Sequence, residues 1–233
     1  MATKRIGGMD CILVFFLNHK LMENKEVILF DIGSNIGNFS YKYSNLCKVV
    51  SVEANPKLSE ILKKRFVENK NVFVENFAVS NKNEMIDFFI CSQDQMSSCN
   101  KNWLTTLRYK NHGIEQTIRM PSVTLDDLIK KYGYPYHIKI DVEGHELEVI
   151  SGLSQKVGSI QFEYIEEEFE RLTVPIFFKL KKLGYNKFYH KSPNDREDGD
   201  FNPFNIKEQE LSFEEIIKRE NLPNVPGGMI LAA

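Results

Sequence analysis

Apolar positions in this chain come in short unbroken runs, separated by stretches in which they recur every three or four residues. Val27-Ile28-Leu29-Phe30-Asp31 is the first such run, and it ends in an acid. Lys48-Val49-Val50-Ser51-Val52-Glu53 and His137-Ile138-Lys139-Ile140-Asp141 follow the same plan, apolar and then acidic. Runs of this length without strict alternation read as strands buried on both faces, the habit of parallel sheets. Asn71 to Phe77, Ser159 to Ile165, Tyr185 to His190 and Gly228 to Ala232 read as further strands. Between them the period changes. After Asn55-Pro56, residues Leu58, Ile61, Leu62 and Phe66 share one face, which predicts a helix with proline in its first turn. Helices are also predicted from about Asn35 to Tyr43, from the cap-like Thr124-Leu125-Asp126-Asp127 to near Gly133, over Glu143 to Leu153, over Pro175 to Leu183 and over Ser212 to Arg219. Glu84 to Ile90 and Gly113 to Met120 read as a small antiparallel addition flanking the irregular Ser92 to Tyr109. Lys191 to Asn205 is rich in Pro, Asn, Asp and Gly and predicts a long loop, extending to about residue 211. Alternating strands and helices predict a doubly wound α/β sheet, in which ligands bind at the carboxyl ends of the strands.

Composition narrows the partners. At 233 residues the chain is read as one domain. A formal net charge of -2 leaves no basic field for nucleic acid, so no nucleic-acid partner is expected. Lys63-Lys64-Arg65 and the group Lys179, Lys181 and Lys182 read as solvated helix faces. Cys11, Cys47, Cys91 and Cys99 form no C-x-x-C pair and read as reduced thiols, which fits a cytoplasmic setting and no zinc. The apolar run from Cys11 to Leu17 is too short to span a bilayer, and residues 1–25 are read as a helical N-terminal extension packed on the core.

The candidate chemistry sits where runs end. Asp31-Ile32-Gly33-Ser34-Asn35-Ile36-Gly37 has the form D-x-G-x-N-x-G, not the G-x-G-x-x-G of a dinucleotide loop. Gly33 and Gly37 let backbone approach a ligand. Asp31 would repel a pyrophosphate and welcome a cation, and S-adenosylmethionine carries both a sulfonium and an ammonium. Glu53 is placed to accept both ribose hydroxyls, a geometry that a nicotinamide enzyme would share. Asn76 and the backbone of Phe77-Ala78 would lie near the adenine. Asp141-Val142-Glu143-Gly144-His145-Glu146 gathers three acids and a histidine around one glycine. His145 is a candidate general base, since a helix N-terminus favours the neutral imidazole. Asp141 is the other candidate base; it could also orient the acceptor, or hold a divalent ion with Glu143. The plain alternative is that Asp141 and Glu143 satisfy free amides at the helix start.

Taken together these blocks resemble the FkbM family of S-adenosylmethionine-dependent methyltransferases. Phe30 to Gly37 resembles its cofactor loop, Val52-Glu53-Ala54-Asn55-Pro56 its ribose segment, and Asn76-Phe77-Ala78-Val79-Ser80 the block after strand three. Val123 to Leu128, Ile138 to Glu146 and Ile160-Gln161-Phe162-Glu163-Tyr164 complete the series, in family order from about residue 27 to 190. The resemblance implies a class I methyltransferase, Rossmann-like fold: a mostly parallel seven-stranded sheet, helices on both faces and an antiparallel last strand. It implies cofactor contacts by Asp31, Gly33, Asn35, Gly37, Glu53, Ala54, Asn76, Ala78 and Asp141. The catalytic candidates remain Asp141, Glu143 and His145, and the resemblance points to Met96-Ser97-Ser98 as a substrate-side loop, so that Ser97, Ser98 and Glu163 are the candidate substrate residues. The reaction implied is O-methylation of a sugar hydroxyl in a glycan or a glycosylated small molecule, with no metal assigned although a divalent ion is compatible. Residues 1–25 and those after about 190 carry no family signature, and the tail with Asn202-Pro203-Phe204 is a candidate cover for the acceptor pocket. Three other readings stay open: a methyltransferase acting on RNA or protein, a NAD-dependent oxidoreductase, and a non-catalytic cofactor-fold domain within a complex.

Overall fold

The computed structural model describes residues 26–106, 113–192, 200–203, 206, 210–218 and 227–233. The expected N-terminal helix, most of the expected loop after Lys191, Phe204 and Arg219 lie outside these residues.

Five strands run parallel in the spatial order β3 (Val72–Glu75), β2 (Lys48–Val52), β1 (Ile28–Ile32), β7 (His137–Ile140) and β8 (Ser159–Ile165). The sheet continues through β11 (Gly227–Ala232), β9 (Phe188–Lys191) and β10 (Glu210–Leu211), each antiparallel to the strand before it. The expected antiparallel last strand is β11, lodged between β8 and β9. The sheet has eight strands, not seven. The extra one is the two-residue β10, whose Leu211 pairs with Phe188 and is buried. Two residues are too few to display any period in a sequence. A separate three-stranded sheet holds β4 (Ala78–Val79), β5 (Met85–Cys91) and β6 (Ile114–Val123), the last two antiparallel as expected.

All five residues of β1 are buried, because its two faces serve two cores. Ile28, Phe30 and Ile32 join one cluster with Leu125, Leu128, Val149, Ile150, Ile176 and Phe177. Leu29 points the other way and packs with Phe39, Tyr43 and Val49. The period of two puts Asp31 on the side of Leu29, beneath helix α1 (Asn38–Tyr43). The remaining helices are α2 (Pro56–Arg65), α3 (Leu125–Tyr132), α4 (Glu146–Ser151), α5 (Val174–Lys182) and α6 (Phe213–Ile217). Asn55 caps α2 by accepting from the Lys57 amide at 3.0 Å. Thr124 and Asp127 cap α3 reciprocally. Among the described residues no helix is long and apolar enough to cross a membrane. The strand order reverses at β1, between β2 and β7, and there the crevice of an open α/β sheet forms.

Candidate active site

The loop leaving β1 turns on three positive φ angles, 78° at Gly33, 53° at Asn35 and 80° at Gly37. Gly33 has a local reason to be glycine: a Cβ would collide with the Asp141 carbonyl. The sharp path delays α1 to Asn38 and turns the Asn35 amide toward Glu53. Glu53 Oε2 accepts from that amide at 2.7 Å, and Oε1 accepts from the Asn55 amide at 2.8 Å. Burial raises the Glu53 carboxyl to about 7, against the lowering effect of those two amides. Asn76 acts on the backbone, its Nδ2 donating to the carbonyls of Glu53 at 2.8 Å and Ala54 at 3.1 Å. Asp31 lies below the surface, fully buried, where Oδ2 accepts from Ser40 Oγ at 2.6 Å and from the Ser40 amide at 3.2 Å. Burial pushes its carboxyl upward, while Lys139 and Ser40 oppose the shift.

The second wall follows β7. Lys139 Nζ donates to Asp141 Oδ2 at 3.1 Å and stands 3.8 Å from Asp31 Oδ1. Burial alone would depress this ammonium, but Asp141, Asp31 and Asp200 together hold its pKa above the ordinary value. Beyond Asp141 the chain takes positive φ at Glu143, 54°, and at Gly144, 86°, so α4 begins only at Glu146. Gly144 faces the ring of Trp103, which a Cβ would strike. Buried Glu146 then satisfies the turn, its Oε1 accepting from the amides of Val142 at 3.2 Å and Gly144 at 3.3 Å. Burial raises its carboxyl to about 8. Glu146 thus satisfies the Val142 and Gly144 amides of this turn, and Asp141 and Glu143 line the cavity. Ser98 Oγ donates to the Glu143 carbonyl at 2.6 Å, and Asn100 Nδ2 to the Gly144 carbonyl at 2.7 Å. Trp103 Nε1 reaches Glu143 Oε2 at 3.4 Å. His145 has Nε2 3.1 Å from Ser80 Oγ and Nδ1 3.7 Å from Glu148 Oε2. Burial lowers its pKa to about 4, so the ring is neutral at pH 7.

These walls enclose a cavity of about 410 Å³ over the switch point. Gly33, Asn35, Glu53, Ala54, Ala78, Ser97, Asp141, Glu143, His145 and Glu163 line it. Asp31, Gly37, Asn76 and Ser98 do not; each acts behind the wall. Gly37 owes its lack of a Cβ to Leu62 and Phe66. Leu58, Phe77, Ala78 and Phe88 give the cavity apolar lining that suits a purine, and Asp94, held by Asn55 Nδ2 at 3.4 Å next to Glu53, adds an acceptor to the wall. Each Glu53 oxygen keeps a second lone pair for a hydroxyl donor, so the donor set fits a ribose. The other end holds Asp141, Glu143 and Glu163, with carboxylate oxygens within 4.8 Å of one another, a set able to ligate a hard cation. Sequence reasoning assigned no role to two lining residues there, Lys139 and Asp200. A lysine inside an apolar strand between Ile138 and Ile140 was a usable signal. Asp200, in a polar loop, gave none.

A family model described as the methyltransferase FkbM domain matches residues 31–187. Hexuronic acid methyltransferase AglP of Haloferax volcanii is 26% identical over 155 residues, covering 63% of this chain and 59% of that protein. Among solved structures, precorrin-6y C5,15-methyltransferase from Geobacter metallireducens is 13% identical with a TM-score of 0.43, covering 100% of this chain and 93% of that one. Fibrillarin from Aeropyrum pernix with bound S-adenosyl-L-methionine is 12% identical with a TM-score of 0.43, covering 94% and 74%.

Proposed function

The chain belongs to the FkbM family of methyltransferases, and on that premise we propose that it transfers the methyl group of S-adenosylmethionine to a hydroxyl of a sugar, in a glycan or a glycosylated small molecule. The observation that carries this reading is the single cavity bridging Glu53 on one side of β1 and Asp141 on the other. The cofactor supplies an electrophilic methyl group on sulfonium. The chain's own part is placement, the dominant element in a displacement of this kind. Glu53, fixed by two backbone amides, accepts the ribose hydroxyls. The loop at Gly33 and Asn35 lets the amino-acid portion lie against backbone. Asp141, steadied by Lys139, accepts the proton of the attacking hydroxyl. His145 is neutral but its Nε2 is engaged by Ser80, so it shapes the wall beside Asp141. Asp141, Glu143 and Glu163 would hold a divalent ion if the reaction uses one.

The sugar as acceptor is supported by the name of the Haloferax relative and by an acceptor end made of hydrogen-bond acceptors. A nucleic-acid acceptor is disfavoured by that acidic end and by the net charge of -2. A nicotinamide cofactor would bring its pyrophosphate against the same carboxylates.

Calorimetric titration with S-adenosylmethionine and S-adenosylhomocysteine, with NADH as control, tests the cofactor. Binding of the first two alone is expected, followed by S-adenosylhomocysteine release in the presence of sugar acceptors. NADH binding, or no binding, would overturn the reading.

A further inference from the structure

Asn55, the cap of α2, joins two carboxylates. Its amide donates to Glu53 Oε1 at 2.8 Å, and its side-chain Nδ2 donates to Asp94 Oδ1 at 3.4 Å. Turning the side chain over would lose the cap, because its Oδ1 accepts from the Lys57 amide at 3.0 Å. Asn55 is itself buried, so both acids rest on a fixed support. Lys57, 71% exposed and outside the cavity lining, donates to Asp94 Oδ2 at 2.5 Å from the solvent side.

Asp94 arrives from a distant part of the chain, the polar and irregular stretch after β5, where nothing in the sequence marks it. That stretch is a loop closed on itself. Phe89 and Ser98 exchange backbone hydrogen bonds of 2.9 and 3.1 Å, and the Met96 amide donates to the Gln93 carbonyl at 2.9 Å. Ser97 Oγ accepts from the Cys91 amide at 3.1 Å. The base of the loop packs on the Glu53 side of the cavity, where Cys99 joins Ala54, Ala78 and Phe88 in one apolar cluster. Its tip brings Asp94 to the wall that Glu53 and Ala54 also line. A closed loop and two anchors for one acid are more than an exposed ion pair justifies, since such pairs add little to stability.

Each Asp94 oxygen meets one protein donor, and a carboxylate oxygen has a second lone pair to offer. Only a hydrogen-bond donor can use it. The adenosine portion of the cofactor carries an exocyclic amine and two ribose hydroxyls. Resting on the methyltransferase reading above, we propose that Asp94 is a further cofactor-binding residue, accepting a hydrogen bond from the adenosine of S-adenosylmethionine, at either the amine or a ribose hydroxyl. Glu53 and Asp94 then grip one nucleoside from one support, Asn55.

The test is calorimetry on the full chain with S-adenosylhomocysteine and with analogues that each lack one donor. S-inosylhomocysteine has a carbonyl in place of the amine, and the 2′-deoxy and 3′-deoxy forms each lack a hydroxyl. Asp94→Ala should weaken S-adenosylhomocysteine about tenfold. It should also erase the parent's preference over one analogue and keep the others, which tells the amine from the hydroxyls. Asp94→Asn, which keeps the shape and loses the charge, should fall between Asp94→Ala and the parent. Lys57→Ala cuts the ion pair outside the cavity and should stay within about twofold of the parent. Unchanged melting temperatures are the folding control. Unchanged affinity in Asp94→Ala would overturn the proposal. So would a loss with every preference intact, or an equal loss in Lys57→Ala, either of which would make Asp94 a latch between the loop and α2. Failure of S-adenosylhomocysteine to bind the parent would instead remove the methyltransferase reading, and this proposal with it.

Discussion

At the scale of single residues, Glu53 carries a testable tension. Its carboxyl is buried and raised to about 7, yet its proposed task is done best when ionised. Lowering the pH through about 7 should therefore weaken S-adenosylhomocysteine binding in calorimetry, and Glu53→Gln should abolish that dependence. Stability moves oppositely. A carboxyl raised from 4.5 to about 7 stabilises the fold below pH 4.5, and this contribution is lost as pH rises through 7. The loss is about 3 kcal/mol. Urea unfolding at pH 5 and pH 8 should show a smaller decline for Glu53→Gln than for the parent. Asp141→Asn separates placement from proton transfer. It should leave cofactor affinity nearly intact and lower turnover by about a hundredfold or more. An unimpaired Asp141→Asn enzyme would make this acid structural. Both residues were legible because each ends an apolar run, the one position where a parallel strand meets its ligand. Ser80, which engages His145, and Asp200 were not legible, since nothing local marks a serine or a loop aspartate as facing a distant partner.

Among the elements, those with their own start and stop signals match expectation within a residue or two. Thr124 and Asp127 form the reciprocal cap expected of α3, and Gly133 ends it at φ 102°. Thr124→Ala should cost about 1 kcal/mol in urea unfolding, the usual loss for an N-cap hydroxyl. The two helices that open onto the cavity start later than their periodicity indicates, at Asn38 instead of Asn35 and at Glu146 instead of Glu143. In each case a non-glycine residue, Asn35 or Glu143, adopts positive φ. Such a conformation is held by tertiary contacts, here the Glu53 carboxylate on the Asn35 amide and Ser98 on the Glu143 carbonyl. Periodicity reports the face a helix buries and is silent on backbone bent for a ligand.

At the level of the whole molecule, alternating strands and helices sufficed for the parallel half of the sheet. The other half depends on long-range pairing, and its eighth strand was invisible for that reason. Residues 31–187 match the family model, yet the sheet needs more than they contain. β11 pairs with β8 along six residues and with β9 along four. Truncation after Lys187 should therefore expose the apolar edge of β8, giving a poorly soluble chain without a cooperative melt in circular dichroism. The same insertion sets an order of events during synthesis. Residues 28–165 can form their parallel strands as they emerge, but β9 has no place beside β8 until residues 227–232 arrive. At ribosomal speeds of about 5–20 residues per second, the 62 residues from 165 to 227 take roughly 3–12 s. For those seconds the cofactor end can be complete while the acceptor end is an open strand edge, which makes this interval the one in which a chaperone, or a neighbouring nascent chain, has something to hold.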